Sequence, residues 1–334
     1  MKNIRIKITV FLLTLIMFTG CFRLINDRQE LMEIENETDT FPTKAIRLVI
    51  PFAPGGGTDG VGRALALSCE GYVEQPIIPV NKLGDSGSRG LREGIFSNND
   101  GYTITVITSE INSLSSYGLI DFDYQHMELL MLLNTEPGIL VVSKDFPFDT
   151  IEELIADYHK NDKTYTIGSA GKGSVWNFAA KGIALHTDLQ FEDRYYDGTS
   201  LAVLDVLQGK TDMVISGVSE VIEHIEAGEI KVLTVLADDR LDALPDLKTF
   251  TESGYDFSIY TWRGLAIPKD TDHQIKEYLL ERLTKAAKDE QFISLLKELN
   301  LHYDYRPQEA FLEFIQEDLE VYRKLLEIEM TSEE

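Results

Sequence analysis

The sequence has 334 residues, with 31 lysines and arginines against 56 aspartates and glutamates, and its formal net charge at pH 7 is −25. A protein this acidic will not hold nucleic acid through its overall field, because the phosphate backbone carries charge of the same sign. Hydrophobic residues make up 43% of the chain, which is enough for two lobes with separate cores.

The first 20 residues have the pattern of a bacterial lipoprotein signal peptide. Basic residues precede the apolar run 8–18, which leads through Thr19 and Gly20 to Cys21. A run of about ten apolar residues is typical of signal peptides, whereas a bilayer span needs roughly 20. We therefore predict cleavage before Cys21 and lipidation of its thiol, with a retained membrane anchor or a plain secretory signal as the alternatives.

Residues 21–43 are rich in Asp and Glu and show no apolar periodicity of any length. This composition predicts a solvated acidic tether between the lipid anchor and the folded body. If Cys21 is lipidated, Cys69 is the one cysteine left, so an intrachain disulfide is excluded. We expect Cys69 to be a buried helix residue.

From residue 44 onward, short apolar runs alternate with helical patterns, and the alternation restarts after residue 137. Such alternation is typical of α/β folds in which parallel strands are flanked by helices. We predict two lobes joined by a hinge, each a mainly parallel sheet. The first consists of 44–136 plus 237–334, and the second of 137–236.

Gly/Ser/Thr-rich loops follow several predicted strands, at 52–59, 108–112, 168–174 and 196–200. Ligands of open α/β sheets bind beyond the carboxyl ends of the strands, where helix N-termini attract anions. The loops therefore favour a site for a small carboxylate. The same residues also occur in ordinary strand-to-helix turns, so that reading stays open here.

Three loops carry partial enzyme motifs. Gly55 to Gly60 has dinucleotide-type G-x-G-x-x-G spacing, but Asn81 and Lys82 stand where an acidic residue would hold the ribose. The loop 170–174 lacks phosphate-loop spacing. The loop 84–88 is similar to a serine-protease nucleophile loop, yet no histidine motif supports it. An enzyme acting on a nucleotide or acyl substrate remains the alternative, without positive support. No metal or cofactor is expected.

Six stretches occur in a fixed order along the chain: Pro42-x-Lys44-x-Ile46-Arg-Leu-Val-Ile-Pro-Phe-Ala-Pro-Gly-Gly-Gly-Thr-Asp59, Asp100-Gly-Tyr-Thr103, Ser169-Ala-Gly-x-Gly-Ser174, Gly209-x-x-Asp212, His224-Ile-x-Ala-Gly228 and Leu244-Pro-Asp246. In this combination the chain resembles the Bug receptors, the extracytoplasmic solute-binding proteins of tripartite tricarboxylate transporters. The resemblance runs from Pro42 to the C-terminal helices.

The resemblance implies a two-lobed periplasmic-binding-protein fold of the Venus-flytrap, type II-like kind, without catalytic activity or cofactor. Such a receptor closes on a small carboxylate, which is a tricarboxylate, a dicarboxylate or a compound like an acidic amino acid. It delivers this ligand to the permease subunits of the transporter. We expect a monomer held at the outer face of the cell membrane by lipidated Cys21. A surface lipoprotein that kept the fold but binds no ligand is a further alternative.

The resemblance also implies the ligand contacts. In the first lobe they are Phe52, Ala53, Gly55, Gly56, Thr58, Asp59, Ser109 and Asn112, and in the second lobe Ser169, Ala170, Gly173, Ser174, Tyr196 and Asp197. The chain departs from the family pattern at Asp197, where a lysine is common. If this side chain points inward, it weakens the binding of a second ligand carboxylate or favours a ligand with an amine.

Overall fold

The computed structural model describes residues 41–196 and 198–332. The strands and helices below belong to the compact unit that begins at Lys44. The predicted signal peptide, Cys21 and the tether up to residue 40 lie outside the described residues. The described part of the chain contains no helix that is both long enough and apolar enough to cross a membrane.

The first half of the body begins with three parallel strands and the helices that follow them. In chain order these are β1 (Ile46–Ile50), α1 (Gly57–Ser68), β2 (Ile77–Asn81), α2 (Ser88–Ile95), β3 (Thr103–Thr108) and α3 (Glu110–Ser116). Strand β1 lies between β2 and β3 and is parallel to both. Its apolar run is buried on both faces, as expected for a parallel strand covered by helices.

A second set of elements repeats this arrangement. It consists of α4 (Ile151–Asn161), β5 (Tyr165–Ser169), α5 (Val175–Thr187), β6 (Phe191–Tyr195), α6 (Thr199–Leu207), β7 (Met213–Ser216), α7 (Ile222–Glu226) and β8 (Ile230–Leu236). Strand β5 is parallel to β6 and to β7. The second series of alternating strands and helices that the sequence predicted is therefore present.

One long strand, β4 (Met127–Ser143), runs through both sets. Its first part pairs antiparallel with β9 (Tyr260–Pro268) and β10 (Tyr303–Pro307), and its second part with β7 and β8. The sequence had suggested that the alternation of strands and helices restarts after residue 137. The structure instead has a continuous 17-residue strand, whose apolar residues are buried in different cores before and after that point.

The C-terminal helices are α8 (His273–Ala287), α9 (Glu290–Glu298) and α10 (Gln308–Ser332). Helix α10 contributes to two hydrophobic cores. Phe311 packs edge-on against Trp262, with ring centroids 5.5 Å apart, in the core of the first set. Tyr322 packs against Phe178 at 4.9 Å in the core of the second set. This helix therefore fastens both cores to one another.

The fold is an α/β, two-lobed one, as predicted, and its sheet is mixed. The path of hydrogen-bonded strands is β2-β1-β3-β9-β4-β7-β5-β6. Parallel pairing is confined to the three outer strands at each end, while β4, β8, β9 and β10 pair antiparallel, so the expectation of mainly parallel sheets holds only for the outer parts. The proposed lobe boundary at 136/137 falls inside β4, and the one at 236/237 falls at the end of β8.

Candidate functional site

A cavity of about 840 Å³ lies at the carboxyl ends of the parallel strands and is lined by loops of both sets. From the first set come residues 51–58, 83–87 and Glu110, with Thr261 and Arg263 of β9. From the second set come loops after β5 and β6, together with Glu220. The position agrees with the general rule for open α/β sheets. All four Gly/Ser/Thr-rich loops noted in the sequence thus contribute residues to one site.

The loop after β1 is held in shape by Asp59. The Asp59 carboxylate accepts hydrogen bonds from Gly55 N at 2.9 Å, Arg63 Nε at 2.8 Å and Asn81 Nδ2 at 2.8 Å. Although burial opposes ionisation, the bonds from Arg63, Asn81 and Gly55 lower the pKa of Asp59. Gly55 has φ +89°, a conformation that glycine adopts without strain. The outer backbone of the loop and the N-terminus of α1 therefore face the cavity in a fixed conformation.

The loop after β5 is fixed by its own helix. Ser174 Oγ caps α5 by accepting from Asn177 N at 3.3 Å, while Asn177 Oδ1 accepts from Gly173 N at 3.1 Å. Gly171 lies against the loop 83–87 of the first set, since a Cβ at Gly171 would come within 2.8 Å of Ser86 Oγ. The loop after β5 and the loop 83–87 thus approach each other directly at the cavity.

A buried ion pair lies beside the cavity. Arg263 Nη1 donates to Glu136 Oε2 at 3.0 Å and to Asn134 Oδ1 at 2.8 Å. Glu136 Oε1 also accepts from Ser219 N at 2.8 Å. Sequence reasoning missed Arg263 and Glu136. The available signal was a charged residue interrupting each of two apolar strands, since charges are rarely buried without a partner.

Two further carboxyl groups line the cavity and were also missed. Burial raises the pKa of Glu110, although the hydroxyl of Thr108 hydrogen-bonds to it and opposes the shift. Burial, assisted by the negative charge of Glu136, raises the pKa of Glu220 to about 7. Both residues follow strands at their carboxyl ends. Their position in the sequence was therefore a usable signal.

The structure brings together most of the predicted contact residues. Those that line the cavity are Phe52, Ala53, Gly55, Gly56, Thr58, Ala170, Ser174 and Tyr196. Ser169 and Gly173 belong to the same loop as Ala170 without lining the cavity, and Asp197 lies outside the described residues.

Three predicted residues of the first set make contacts elsewhere. The Asp59 carboxylate is engaged by its own loop, as described above. Ser109 Oγ lies 3.2 Å from Thr261 Oγ1. Asn112 Nδ2 donates to Ile315 O and to Asp318 Oδ2, both at 2.8 Å, on helix α10. Across residues 41–196 and 198–332, no group of three or more His, Cys, Asp or Glu side chains is arranged to hold a metal ion.

The family profile described as Tripartite tricarboxylate transporter family receptor matches residues 61–329. The chain belongs to this family. A solved TctC solute-binding protein from Polaromonas is 30% identical to the receptor, with a TM-score of 0.70, and the match covers 86% of this chain and 99% of that one. The periplasmic binding protein BugD is 26% identical, with a TM-score of 0.78 and coverage of 86% and 98%.

Protein BugT of Bordetella pertussis is 28% identical over 253 residues, which are 74% of the receptor and 78% of BugT. The resemblance to the Bug receptors is therefore confirmed, and so is the two-lobed fold. The members of this family are solute-binding proteins, so the receptor is not an enzyme. The profile match begins after the loop 52–59.

Proposed function

We propose that the receptor captures a small carboxylate outside the cytoplasm and delivers it to the permease subunits of a tripartite tricarboxylate-type transporter. The single observation that supports this best is the cavity of about 840 Å³ lined by loops from both lobes. Its volume is within the roughly 300–1,000 Å³ typical of small-molecule sites.

The chemistry of the cavity wall suits a carboxylate end group. Helix α1 begins at Gly57 with Gly56 as its N-cap, and Gly56 has no side chain between the backbone N–H groups and the cavity. Free N–H groups and the helix dipole attract an anion at such a terminus. The acidic body is compatible with this, because charges beyond a Debye length of roughly 8 Å are screened.

Ligand capture proceeds by closure about the hinge. The contacts of the first lobe come from the loop after β1, and those of the second from the loops after β5 and β6, so a ligand touching both stabilises the closed form. The division into lobe 1 (44–136 plus 237–334) and lobe 2 (137–236) places these loops on opposite sides. Neither loop alone encloses the ligand.

Membrane attachment is the second part of the proposal. Cleavage before Cys21 and acylation of its thiol would hold the receptor at the outer face of the membrane, with residues 21–43 as the tether and the body as a monomer. Incorporation of a labelled fatty acid into the wild type, with none in Cys21→Ser, is the expected result. Equal labelling of the wild type and Cys21→Ser would overturn the lipidation of Cys21. A dimeric body in size-exclusion experiments would overturn the expectation of a monomer.

A thermal-shift panel tests the binding function. Small mono-, di- and tricarboxylates are expected to raise the melting temperature, and NAD, FAD and ATP to leave it unchanged. The variant Gly56→Asp should abolish the shift, because it adds a negative charge at the N-terminus of α1. A Cβ at Gly56 meets nothing closer than Ala53 O at 3.8 Å, so the fold tolerates it.

The matched control is Gly71→Asp, since a Cβ at Gly71 meets nothing within 4 Å and Gly71 does not line the cavity. This variant should keep the ligand response of the wild type. Unchanged carboxylate affinity in Gly56→Asp would rule out the loop after β1 as the anion site. No response to any carboxylate would favour the reading as a ligand-free surface lipoprotein.

A further inference from the structure

We propose that the ligand carries an ammonium group as well as a carboxylate, and that Glu110 and Glu220 are the groups that contact the ammonium. The inference rests on the proposed function and narrows its ligand to a zwitterionic or amino-substituted carboxylate. It follows from the charges that line the cavity.

The described lining residues carry an excess of negative charge. Their one basic side chain is Arg263, and their acidic side chains are Asp85, Glu110 and Glu220. Arg263 is already paired with Glu136, at 3.0 Å, and Asp85 with Arg89, at 2.7 Å. Two carboxyl groups, Glu110 and Glu220, therefore line the cavity without a salt-bridge partner in the described part of the chain.

The groups around Glu220 come from four elements. Gly217 N, in the turn after β7, donates to Glu220 Oε2 at 3.4 Å, and the Thr199 side chain at the start of α6 hydrogen-bonds to the carboxyl group. Glu136 of β4 repels its negative charge, while Arg263 of β9 attracts it. Because Arg263 is already paired with Glu136, its single positive charge cannot neutralise both Glu136 and Glu220.

Glu110, which also lines the cavity, has a similar deficit of positive charge. It is 7% exposed, and the hydroxyls of Thr108 and Ser109 hydrogen-bond to its carboxyl group. Arg263 is the basic residue that acts on it. A ligand with two carboxylates would place its second negative charge near these groups, whereas an ammonium would be attracted by both.

The arrangement also links charge recognition to closure. Glu110 belongs to the first lobe and Glu220 to the second, under the proposed division. An ammonium between them compensates one carboxylate from each lobe and so stabilises the closed form more than the open one. The carboxylate end would meanwhile occupy the N-terminus of α1.

Titration of Glu220 gives the ligand classes opposite pH dependences. Its pKa of about 7 means that the group is neutral in acid and ionised in alkali. An ammonium ligand binds the ionised form, so its affinity should rise as pH increases from 6 to 8, in the range around this pKa. A carboxylate without an ammonium binds the neutral form, so its affinity should fall over the same interval.

Calorimetry on matched pairs tests the inference: L-glutamate against glutarate, L-aspartate against succinate, and 4-aminobutyrate against butyrate. In at least one pair the amino compound should bind about tenfold tighter or more, with the two opposite pH slopes. Glu220→Gln should abolish the preference and flatten both slopes. The control Glu223→Gln makes the same charge change at an exposed position of α7 outside the cavity, and it should retain both.

The outcomes separate this inference from the proposed function. If, in every pair that binds, glutarate, succinate or butyrate binds with equal or higher affinity than its amino partner, the inference is overturned and the carboxylate receptor stands. Absence of binding by all six compounds overturns the inference, and it overturns the proposed function as well if the tricarboxylates of the thermal-shift panel give no response. A Glu220→Gln variant that melts like the wild type and keeps the amino preference overturns the assignment of Glu220.

Discussion

The guanidinium of Arg263 and the carboxylate of Glu136 lie 3.0 Å apart, and their side chains are only 6% and 3% exposed. The two residues come from β9 and β4, which pair along most of the length of β9. Glu136 also accepts from Ser219 N at 2.8 Å, in the turn after β7. A single carboxylate thus connects the central strand to elements of both sets, next to the cavity.

Removing one member of this pair should destabilise the receptor strongly. Arg263→Met leaves Glu136 buried without its cation and repelled by Glu220, and a broken buried pair typically costs 3–5 kcal/mol. We expect the free energy of unfolding, measured by urea titration, to fall by about 3 kcal/mol.

Two comparisons sharpen this prediction. The exposed pair Arg240–Glu252 is as close, at 2.8 Å, but about 40% exposed, so Arg240→Met should have a much smaller effect. The double variant Arg263→Met/Glu136→Gln should recover part of the loss, because it removes the uncompensated charge. Additive losses in the double variant would contradict the coupling.

Asp59 should act on ligand binding through the shape of its loop. Asp59→Asn replaces an acceptor of three hydrogen bonds by an amide that has one acceptor oxygen, so either Asn81 or both Gly55 N and Arg63 lose their partner. Hydrogen bonds to charged groups contribute roughly 1.5–3 kcal/mol each, so a loss of about 2 kcal/mol is expected. Carboxylate affinity should fall as well, although Asp59 does not line the cavity.

The pH dependence of that loss has a defined sign. Because the pKa of Asp59 is lowered in the folded state, its contribution is present above the unfolded pKa and is lost as pH falls through the folded pKa. The difference between wild type and Asp59→Asn should therefore be largest near neutral pH and shrink in acid. Asp242→Asn, at an exposed position, should show neither effect. A difference that grows in acid would contradict the prediction.

The sequence predicted the parts of the fold that are determined by residues close together in the chain. The loop 52–59 and the loop 168–174 stand out because glycines and prolines mark sharp turns between a strand and a helix. It did not predict Glu136, Arg263, Glu110 and Glu220 as one cluster, since these residues meet only when β9 inserts between β3 and β4. The resemblance placed Asn112 among the ligand contacts, but the approach of α10 provides it with other partners.

A glycine of α5 provides a test of helix packing. A Cβ at Gly182 would come within 2.1 Å of Phe257 Cζ, and the Phe257 ring stacks on His186 with centroids 5.3 Å apart. Gly182→Ala gains up to ~1 kcal/mol of helix propensity. Overpacking a buried site costs typically 1–3 kcal/mol. We therefore expect a net loss of about 1 kcal/mol in the free energy of unfolding.

A smaller side chain at position 257 should rescue the Gly182→Ala variant. In a Phe257→Leu background the added methyl has room, so Gly182→Ala should become neutral or stabilising. Gly71→Ala adds the same methyl where nothing lies within 4 Å and should change stability little. A Gly182→Ala variant that melts higher than the wild type would show that Phe257 moves aside freely.

Asp318 of α10 is a buried carboxyl group with an unusual titration. Burial raises its pKa from an ordinary 3.8 to about 7, and the nearby Glu110 acts in the same direction. Asn112 Nδ2, which donates to it at 2.8 Å, only partly offsets the burial. A carboxyl whose pKa is raised on folding stabilises fully below its unfolded pKa, and that contribution is lost as pH rises through the folded pKa.

Asp318→Asn should therefore become more stable relative to the wild type as pH rises from about 4 to 7. Asparagine keeps an acceptor for Asn112 but does not ionise, so the relative gain should approach, at most, about 4 kcal/mol. Urea unfolding at half-unit pH steps measures it. The control Glu317→Gln, next to it but exposed on α10, should show no such trend. Parallel pH profiles of Asp318→Asn and wild type would mean that Asp318 ionises in the folded protein as it does in water.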